Sequence, residues 1–193
     1  EENNGEANGE TNGETNGETT GETIKIGLNY ELSGGTATYG QSSVDGIELA
    51  VKEINEAGGV NGKQVELVKY DNKSDRSDAS EAFTLATKLM TSDGVVAVLG
   101  PATTGNFKAV IPVAEQNKIP VASGSATGDD VTVEFNEAGE VEYDENGKPT
   151  TLKEYAFRIC FNDSFQGTAM AKFAANNLNA TKAVVIADSS SDY

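Results

Sequence analysis

From residue 24 onwards, short apolar runs alternate along the chain with stretches whose apolar residues recur at helical spacing. The runs predict four strands, at 24–29, 63–72, 95–100 and 119–124. The intervening stretches predict three helices, at 41–59, 77–94 and 103–117, the second with Ser77 or Asp78 as N-cap. Because each strand is a continuous apolar run, both faces of the sheet are expected to be covered. The pattern predicts an α/β fold, a Rossmann-like doubly wound parallel sheet.

Residues 129–156 interrupt this rhythm with alternating polar and apolar positions and an Asn146-Gly147 pair. These features predict an exposed β-hairpin insertion. Beyond it, the sequence predicts a strand at 155–162, a helix at 164–178 and a buried strand at 182–188. A βα sheet rarely stops directly after such a strand, so we expect the chain to end inside a second domain.

The N-terminal residues 1–23 form a near-tetrapeptide repeat of Asn, Gly, Glu and Thr with no apolar side chain larger than Ala7. Such a segment cannot bury enough surface to offset its chain entropy, so we expect a disordered acidic linker. It either tethers the folded part or is a solvated tail without a role. Its seven glutamates also account for much of the net charge of −17.

Composition narrows the possible functions. The acidic charge sits mainly in residues 1–23 and 129–154, and no cluster of Lys and Arg is available to neutralise phosphates, so nucleic-acid binding is not expected. The chain has no histidine and one cysteine, Cys160, which we interpret as a small buried residue. Ser-His-Asp catalysis, a transition-metal site and a resident cofactor are therefore not expected. No apolar run approaches the roughly 18 residues that cross a bilayer.

Loops that follow the carboxyl ends of parallel strands form the ligand site of open α/β sheets. Four loops here hold that position, and three are rich in small hydroxyl residues: "ELSGGTATYG", "GPATTG", "SGSATGDD" and "SSSDY". Thr103 and Thr104 stand at a helix start, where they either donate to an anion or cap the helix. A carboxylate fits better than a phosphate, because the four loops contain no Lys or Arg.

Two other loops offer candidate contacts. The carbonyls of "SGSATGDD" and the hydroxyls of Ser125 and Thr127 suit an ammonium group. Tyr39 ends the first loop and is either the wall of a small apolar pocket or an ordinary packing tyrosine. The glycines of that loop fit no nucleotide-binding fingerprint, so they either let the backbone approach a ligand or make a plain turn.

The four loops occur in a known order. Together with "IKIGLNYELSGGTATYGQSSVDGIELAVKEINEAGGVNGKQVELVKYDNKSD" and "FRICFNDSFQGTAMAKFA", they resemble the type I solute-binding proteins of ABC importers, in particular the branched-chain amino-acid-binding family. The resemblance implies two Rossmann-like lobes that close on a ligand. By it, residues 24–159 are the first lobe and residues 160–193 begin the second.

The resemblance also implies roles for single residues. The loop "PATTG" binds the ligand's α-carboxylate with Thr103 and Thr104, and the loop "SGSAT" holds the α-ammonium with Ser125, Ala126 and Thr127. Tyr39 and Tyr193 match the family's aromatic positions. The Glu-rich tail is similar to the linker that follows the lipidated cysteine of Gram-positive binding lipoproteins.

The leading hypothesis is therefore a non-enzymatic, extracytoplasmic receptor that captures a small amino acid and delivers it to the permease subunits of an ABC importer. Its only membrane contact would be an N-terminal lipid anchor. Its location would be the surface of a Gram-positive type of cell or, alternatively, the periplasm. Two alternatives stay open. The same lobes could sense a ligand and regulate a partner protein, or an enzyme could use a Rossmann-like sheet, although nucleotide fingerprints and histidine are lacking.

Overall fold

The computed structural model describes residues 22–73 and 79–187, which form one parallel sheet with helices on both faces. Its strands and helices follow in this order: β1 Ile24–Tyr30, α1 Ala37–Glu56, β2 Val65–Asp71, α2 Ser80–Thr91, β3 Ala97–Leu99, α3 Thr104–Asn117, β4 Val121–Ser123, β5 Ala156–Arg158 and α4 Asp163–Asn176. The sheet order is β2-β1-β3-β4-β5 and every pairing is parallel. The predicted doubly wound α/β fold is confirmed.

The two faces of the sheet carry separate apolar cores. Helices α2 and α3 cover one face, where Leu89, Val98 and Phe107 are fully buried. Helix α1 covers the other through Val44, which packs with Leu28. Burying a side chain of this size stabilises the fold by about 1.5–3 kcal/mol. Coverage of both faces explains why the strands read as continuous apolar runs.

Helix α1 begins at Ala37, four residues before the predicted start, so Tyr39 lies in its first turn and not in a loop. The reason is Gly40, where a Cβ would collide with the backbone carbonyl of Glu31. Without that Cβ, the helix starts directly against the end of β1. The predicted caps of α2, Ser77 and Asp78, lie outside the described residues.

The insertion is antiparallel but not a continuous hairpin. Isolated bridges join Val133 to Leu152 and Tyr143 to Pro149. A turn closes between Asp144 and Gly147, where the sequence predicted one. Pro149 has no N–H to donate, so the ladder is interrupted and no regular strand forms there.

The C-terminal part agrees with the sequence in two elements and differs in a third. The strand predicted at 155–162 is present as the shorter β5, Ala156–Arg158. Helix α4 is present, and none of its side chains is buried. The buried strand predicted at 182–188 is wrong over its described part, because Val184 and Ile186 are 89% and 95% exposed and no described strand pairs with them. An apolar run forms a strand only beside a hydrogen-bonding neighbour. Cys160, expected to be buried, is partly exposed. No described helix has the length and apolar character needed to cross a membrane.

Candidate functional site

The chain reverses direction across the sheet between β1 and β3. From β1 it passes to β2 on one side, and from β3 it passes to β4 on the other. Ligands of doubly wound folds bind at such a switch point, where the connections diverge. We call the segments that meet here loop 1 (residues 31–36), loop 3 (residues 100–103) and loop 4 (residues 124–130).

Glu31 is the first residue of loop 1, and its side chain is fully buried at the start of α3. Its Oε2 accepts a hydrogen bond from the backbone N–H of Ala102 at 2.9 Å. Its Oε1 accepts from the N–H and the hydroxyl of Thr103, at 3.1 and 2.8 Å, and from Nδ2 of Asn106 at 3.0 Å. A carboxylate of the protein itself thus binds the two N–H groups that immediately precede the first helical residue, Thr104.

Thr103 stands at the N-cap position of α3, but its side chain makes no capping bond to the helix. Its proton is donated to Glu31. A hydroxyl carries one proton and two lone pairs, so Thr103 can offer any further partner only an acceptor. The charge of Glu31 also acts on Tyr30. Burial of the Tyr30 hydroxyl and, to a smaller extent, the charge of Glu31 raise the pKa of Tyr30 to about 12.

The Thr104 hydroxyl accepts a hydrogen bond, whereas the Thr103 hydroxyl donates one. Its Oγ1 accepts a hydrogen bond from the backbone N–H of Gly128 at 3.2 Å. In the part of the chain that the structure describes, no hydrogen bond uses the Thr104 proton. The contact depends on glycine, because a Cβ at Gly128 would lie 2.6 Å from Cγ2 of Thr104. Loop 4 is therefore seated directly on the first turn of α3.

Two serines join loop 4 to loop 3. The hydroxyl of Ser123 donates to the carbonyl of Pro101, and that of Ser125 to the carbonyl of Ala102, both at 2.7 Å. Ser123 Oγ in turn accepts from the N–H of Ala126 at 3.1 Å. The structure thus brings the predicted loop-4 residues Ser125, Ala126 and Thr127 to the start of α3, next to Thr103 and Thr104.

Thr127 carries an unsatisfied group. Its hydroxyl is buried and has no hydrogen-bond partner within the described residues. Buried hydroxyls are normally paired, so an unpaired one at a switch point suggests a water or ligand partner. Its carbonyl is already used, because it accepts from the N–H of Asp163 at 3.0 Å and from Nη1 of Arg158 at 3.2 Å. Arg158 also donates to the carbonyl of Gly128 at 2.7 Å.

Loop 1 is held from the neighbouring strand by Asp71. Its Oδ1 accepts from the N–H groups of Leu32, Ser33 and Lys73 at 3.0, 3.2 and 2.8 Å. Partial burial opposes ionisation, but these hydrogen bonds and one with the Ser33 side chain outweigh it and lower the pKa of Asp71. These bonds hold the backbone of loop 1 against the end of β2.

The two remaining predicted positions are the aromatic residues Tyr39 and Tyr193. Tyr39 lies in the first turn of α1 with 62% of its surface exposed, so no described residue encloses its ring. Tyr193 lies outside the described residues. Within residues 22–73 and 79–187, no group of His, Cys, Asp or Glu is placed to hold a metal ion.

A concavity of about 760 Å³ lies between the insertion and β5, lined by residues that include Lys148, Leu152 and Phe157. Its size suits a small molecule. None of the predicted site residues lines it, although Arg158, which donates to loop 4, forms part of its wall. Geometry and chemistry together favour the switch point as the functional site.

Sequence reasoning missed Glu31 and Arg158. Glu31 could have been recognised as an acid placed directly after a buried strand at the centre of the sheet. Arg158 had no such signal, because it reaches loop 4 from a strand about 30 residues further along the chain.

Known proteins resemble this chain in sequence and in fold. The periplasmic binding protein family matches residues 23–192. The Leu/Ile/Val-binding protein homolog 3 of Brucella melitensis is 30% identical over 165 residues, which are 86% of this chain and 39% of that protein. The substrate-binding protein LivJ of Streptococcus pneumoniae, solved with isoleucine, is 41% identical with a TM-score of 0.74, over 89% of this chain and 43% of its own.

The leucine-binding protein LivK of Thermotoga maritima is 30% identical with a TM-score of 0.65, over 89% of this chain and 42% of its own. The chain thus spans about two-fifths of the length of these relatives. The family match covers most of the chain, and the matching structures have the same parallel sheet. The chain therefore belongs to the periplasmic binding protein family and has the type I fold of the branched-chain amino-acid-binding members.

Proposed function

We propose that the chain forms the first lobe, residues 24–159, and the start of the second lobe, residues 160–193, of a two-lobed receptor for a small amino acid, branched-chain or related. Its 41% identity to LivJ, a protein solved with isoleucine, supports this ligand class. The two lobes would close on the ligand by a hinge motion of the kind that periplasmic binding proteins use.

The opposed directions of the Thr103 and Thr104 hydroxyls carry the proposal. Thr104 accepts from Gly128, so its proton is left for an acceptor such as the ligand's α-carboxylate. Thr103 gives its proton to Glu31, so we no longer assign it to the carboxylate as the resemblance implied. Its lone pairs are left for a donor such as the α-ammonium. Two neighbouring hydroxyls of opposite polarity match the two charged ends of a zwitterion.

Loop 4 completes this arrangement. Ser125 and Ala126 lie next to Thr127, whose buried hydroxyl still needs a partner. Leaving that hydroxyl unpaired costs about 1–3 kcal/mol, which a bound ammonium or a water would recover. Tyr39 and Tyr193 would then cover the ligand's apolar side chain, with Tyr39 exposed until the lobes close.

The role is binding and not catalysis. The switch-point loops hold no pair of acid and base placed for proton transfer, and the relatives are named as binding proteins. The receptor would act outside the cytoplasm, as its family does, and would hand its ligand to the permease subunits of an ABC importer. An N-terminal lipid anchor would hold it at the cell surface.

Isothermal titration of the native full-length protein with leucine, isoleucine and valine tests the proposal. Small molecules released on denaturation and identified by mass spectrometry give an independent reading of the natural ligand. Failure to bind any aliphatic amino acid or related small zwitterion would remove the proposed function.

A further inference from the structure

Glu31 is absent from the ligand contacts proposed above, yet its carboxylate joins loop 1 to loop 3 and to α3. We propose that Glu31 is a positioning residue of the ligand site. It permanently supplies the anion at the N-terminus of α3 and thereby fixes loop 3 in the orientation that binds the ligand. The inference rests on the proposed function for the identity of the ligand, but the role of Glu31 can be measured separately.

The bonding pattern selects a carboxylate at this position. The four partners of Glu31 are all donors: two backbone N–H groups, one hydroxyl and one side-chain amide. Both oxygens are used, Oε2 by Ala102 and Oε1 by Thr103 and Asn106. A glutamine would place its own NH₂ against a donor in either orientation. An aspartate is one methylene shorter and could not reach the same set from the Glu31 backbone.

Because Glu31 and its partners Ala102 and Asn106 are buried, the loss of one hydrogen bond there cannot be compensated by water. Glu31 is fully buried and Asn106 is 4% exposed, so solvent cannot replace a lost partner. Removing the carboxylate leaves the Ala102 and Thr103 N–H groups without an acceptor at the positive end of α3. Thr103 would also be released to turn its proton elsewhere. The polarity of the Thr103 hydroxyl, on which the proposed ammonium contact depends, is therefore set by Glu31.

Chemical rescue distinguishes a positioning role from simple filling of space. In the native full-length protein, E31A should raise the Kd for leucine by about tenfold or more, because hydrogen bonds to a charged group are lost. Sodium formate at about 100 mM supplies a carboxylate that fits the vacated space and should bring the Kd back to within about threefold of wild type. Sodium chloride at the same ionic strength, about 100 mM, should not.

Two further variants serve as comparisons. E31Q fills the space with an amide, so it should bind leucine weakly and show no formate rescue. Glu53, an exposed carboxylate on α1, gives the control E53Q, which should bind leucine as wild type does. If E31A does not fold, E31Q decides the matter: weakened binding with an unchanged circular dichroism spectrum supports the proposal, and wild-type binding overturns it.

Wild-type leucine affinity in E31A, or equal effects of formate and chloride, would likewise overturn the role of Glu31. A wild-type protein that binds no aliphatic amino acid would instead remove the proposed function. In that case, the melting temperature of E31A still tests Glu31, because formate should raise it in E31A and leave wild type and E31Q unchanged.

Discussion

The hydroxyl of Ser125 donates to the carbonyl of Ala102 at 2.7 Å, across two loops that follow different strands. S125A removes this donor and leaves the carbonyl of a buried residue unpaired. We expect the free energy of unfolding to fall by about 1–3 kcal/mol in urea denaturation of the native protein. S42A is a matched control, because Ser42 makes a hydroxyl-to-carbonyl bond on the exposed face of α1. Its effect should stay within about 0.5 kcal/mol.

Thr104 provides a direct test of the ligand site. T104V keeps the shape of the side chain but removes both the acceptor for Gly128 and the proton proposed for the ligand. T104S keeps both. We expect T104V to weaken leucine binding by about 1.5–3 kcal/mol relative to T104S, as measured by isothermal titration. Equal affinities of the two variants would show that Thr104 only seats loop 4.

Two glycines on the same helix should respond oppositely to alanine. At Gly40 a Cβ would collide with the carbonyl of Glu31, so G40A should destabilise the protein by about 1–3 kcal/mol. At Gly46 nothing lies within 4 Å of the added atom. G46A should therefore stabilise the exposed helix interior by about 0.5–1 kcal/mol. Thermal unfolding of both variants compares them, and a stable G40A would contradict the described start of α1.

The lowered pKa of Asp71 predicts a pH dependence. A carboxylate whose pKa is lower in the folded state adds stability above its unfolded pKa of about 3.9 and loses that contribution as the pH falls through its folded value. D71N should be less stable than wild type near neutral pH, and the difference should shrink towards acid pH. Urea titrations between pH 7 and about pH 3 measure this. A difference that does not change with pH would exclude ionisation as the cause.

Deleting residues 1–21 should leave the melting temperature and ligand affinity of the native protein nearly unchanged, because the segment has no large apolar side chain to bury. The deletion stops before Glu22, whose carboxylate lies 2.7 Å from Nζ of Lys63. That exposed ion pair contributes about 0–1 kcal/mol, so extending the deletion through Glu22 provides a comparison. A fall of several degrees with the shorter deletion would show that the tail packs on the fold.

The order and type of the nine described elements from β1 to α4 could be predicted from the sequence, because apolar runs and helical spacing report burial along one element at a time. Helix starts were less predictable, since the start of α1 depends on Gly40 packing against Glu31, a contact with no local signal. The absence of the predicted strand over the described residues 182–187 has the same origin. Their apolar side chains indicate burial, but the neighbouring strand that burial requires is not specified by these residues.

The candidate site was predictable by position and not by bonding. The switch-point rule placed Thr103 and Thr104 at the correct edge of the sheet, and their position at a helix start indicated a carboxylate partner. The sequence does not show that Glu31 is a carboxylate within reach of Thr103, because the two residues are 72 positions apart. The polarity of each hydroxyl depends on such long-range partners.

The serine bonds between loops 3 and 4 have a consequence for the thermodynamics of recognition. The hydroxyls of Ser123 and Ser125 hold the two loops together using only groups of the chain itself. Because the loops are already ordered before the ligand binds, ordering them costs little conformational entropy and lowers the affinity little. Differences in affinity between related amino acids should therefore arise from how well each side chain fills the closed site. Binding should show the negative heat-capacity change of apolar burial without the large entropy loss of coupled folding.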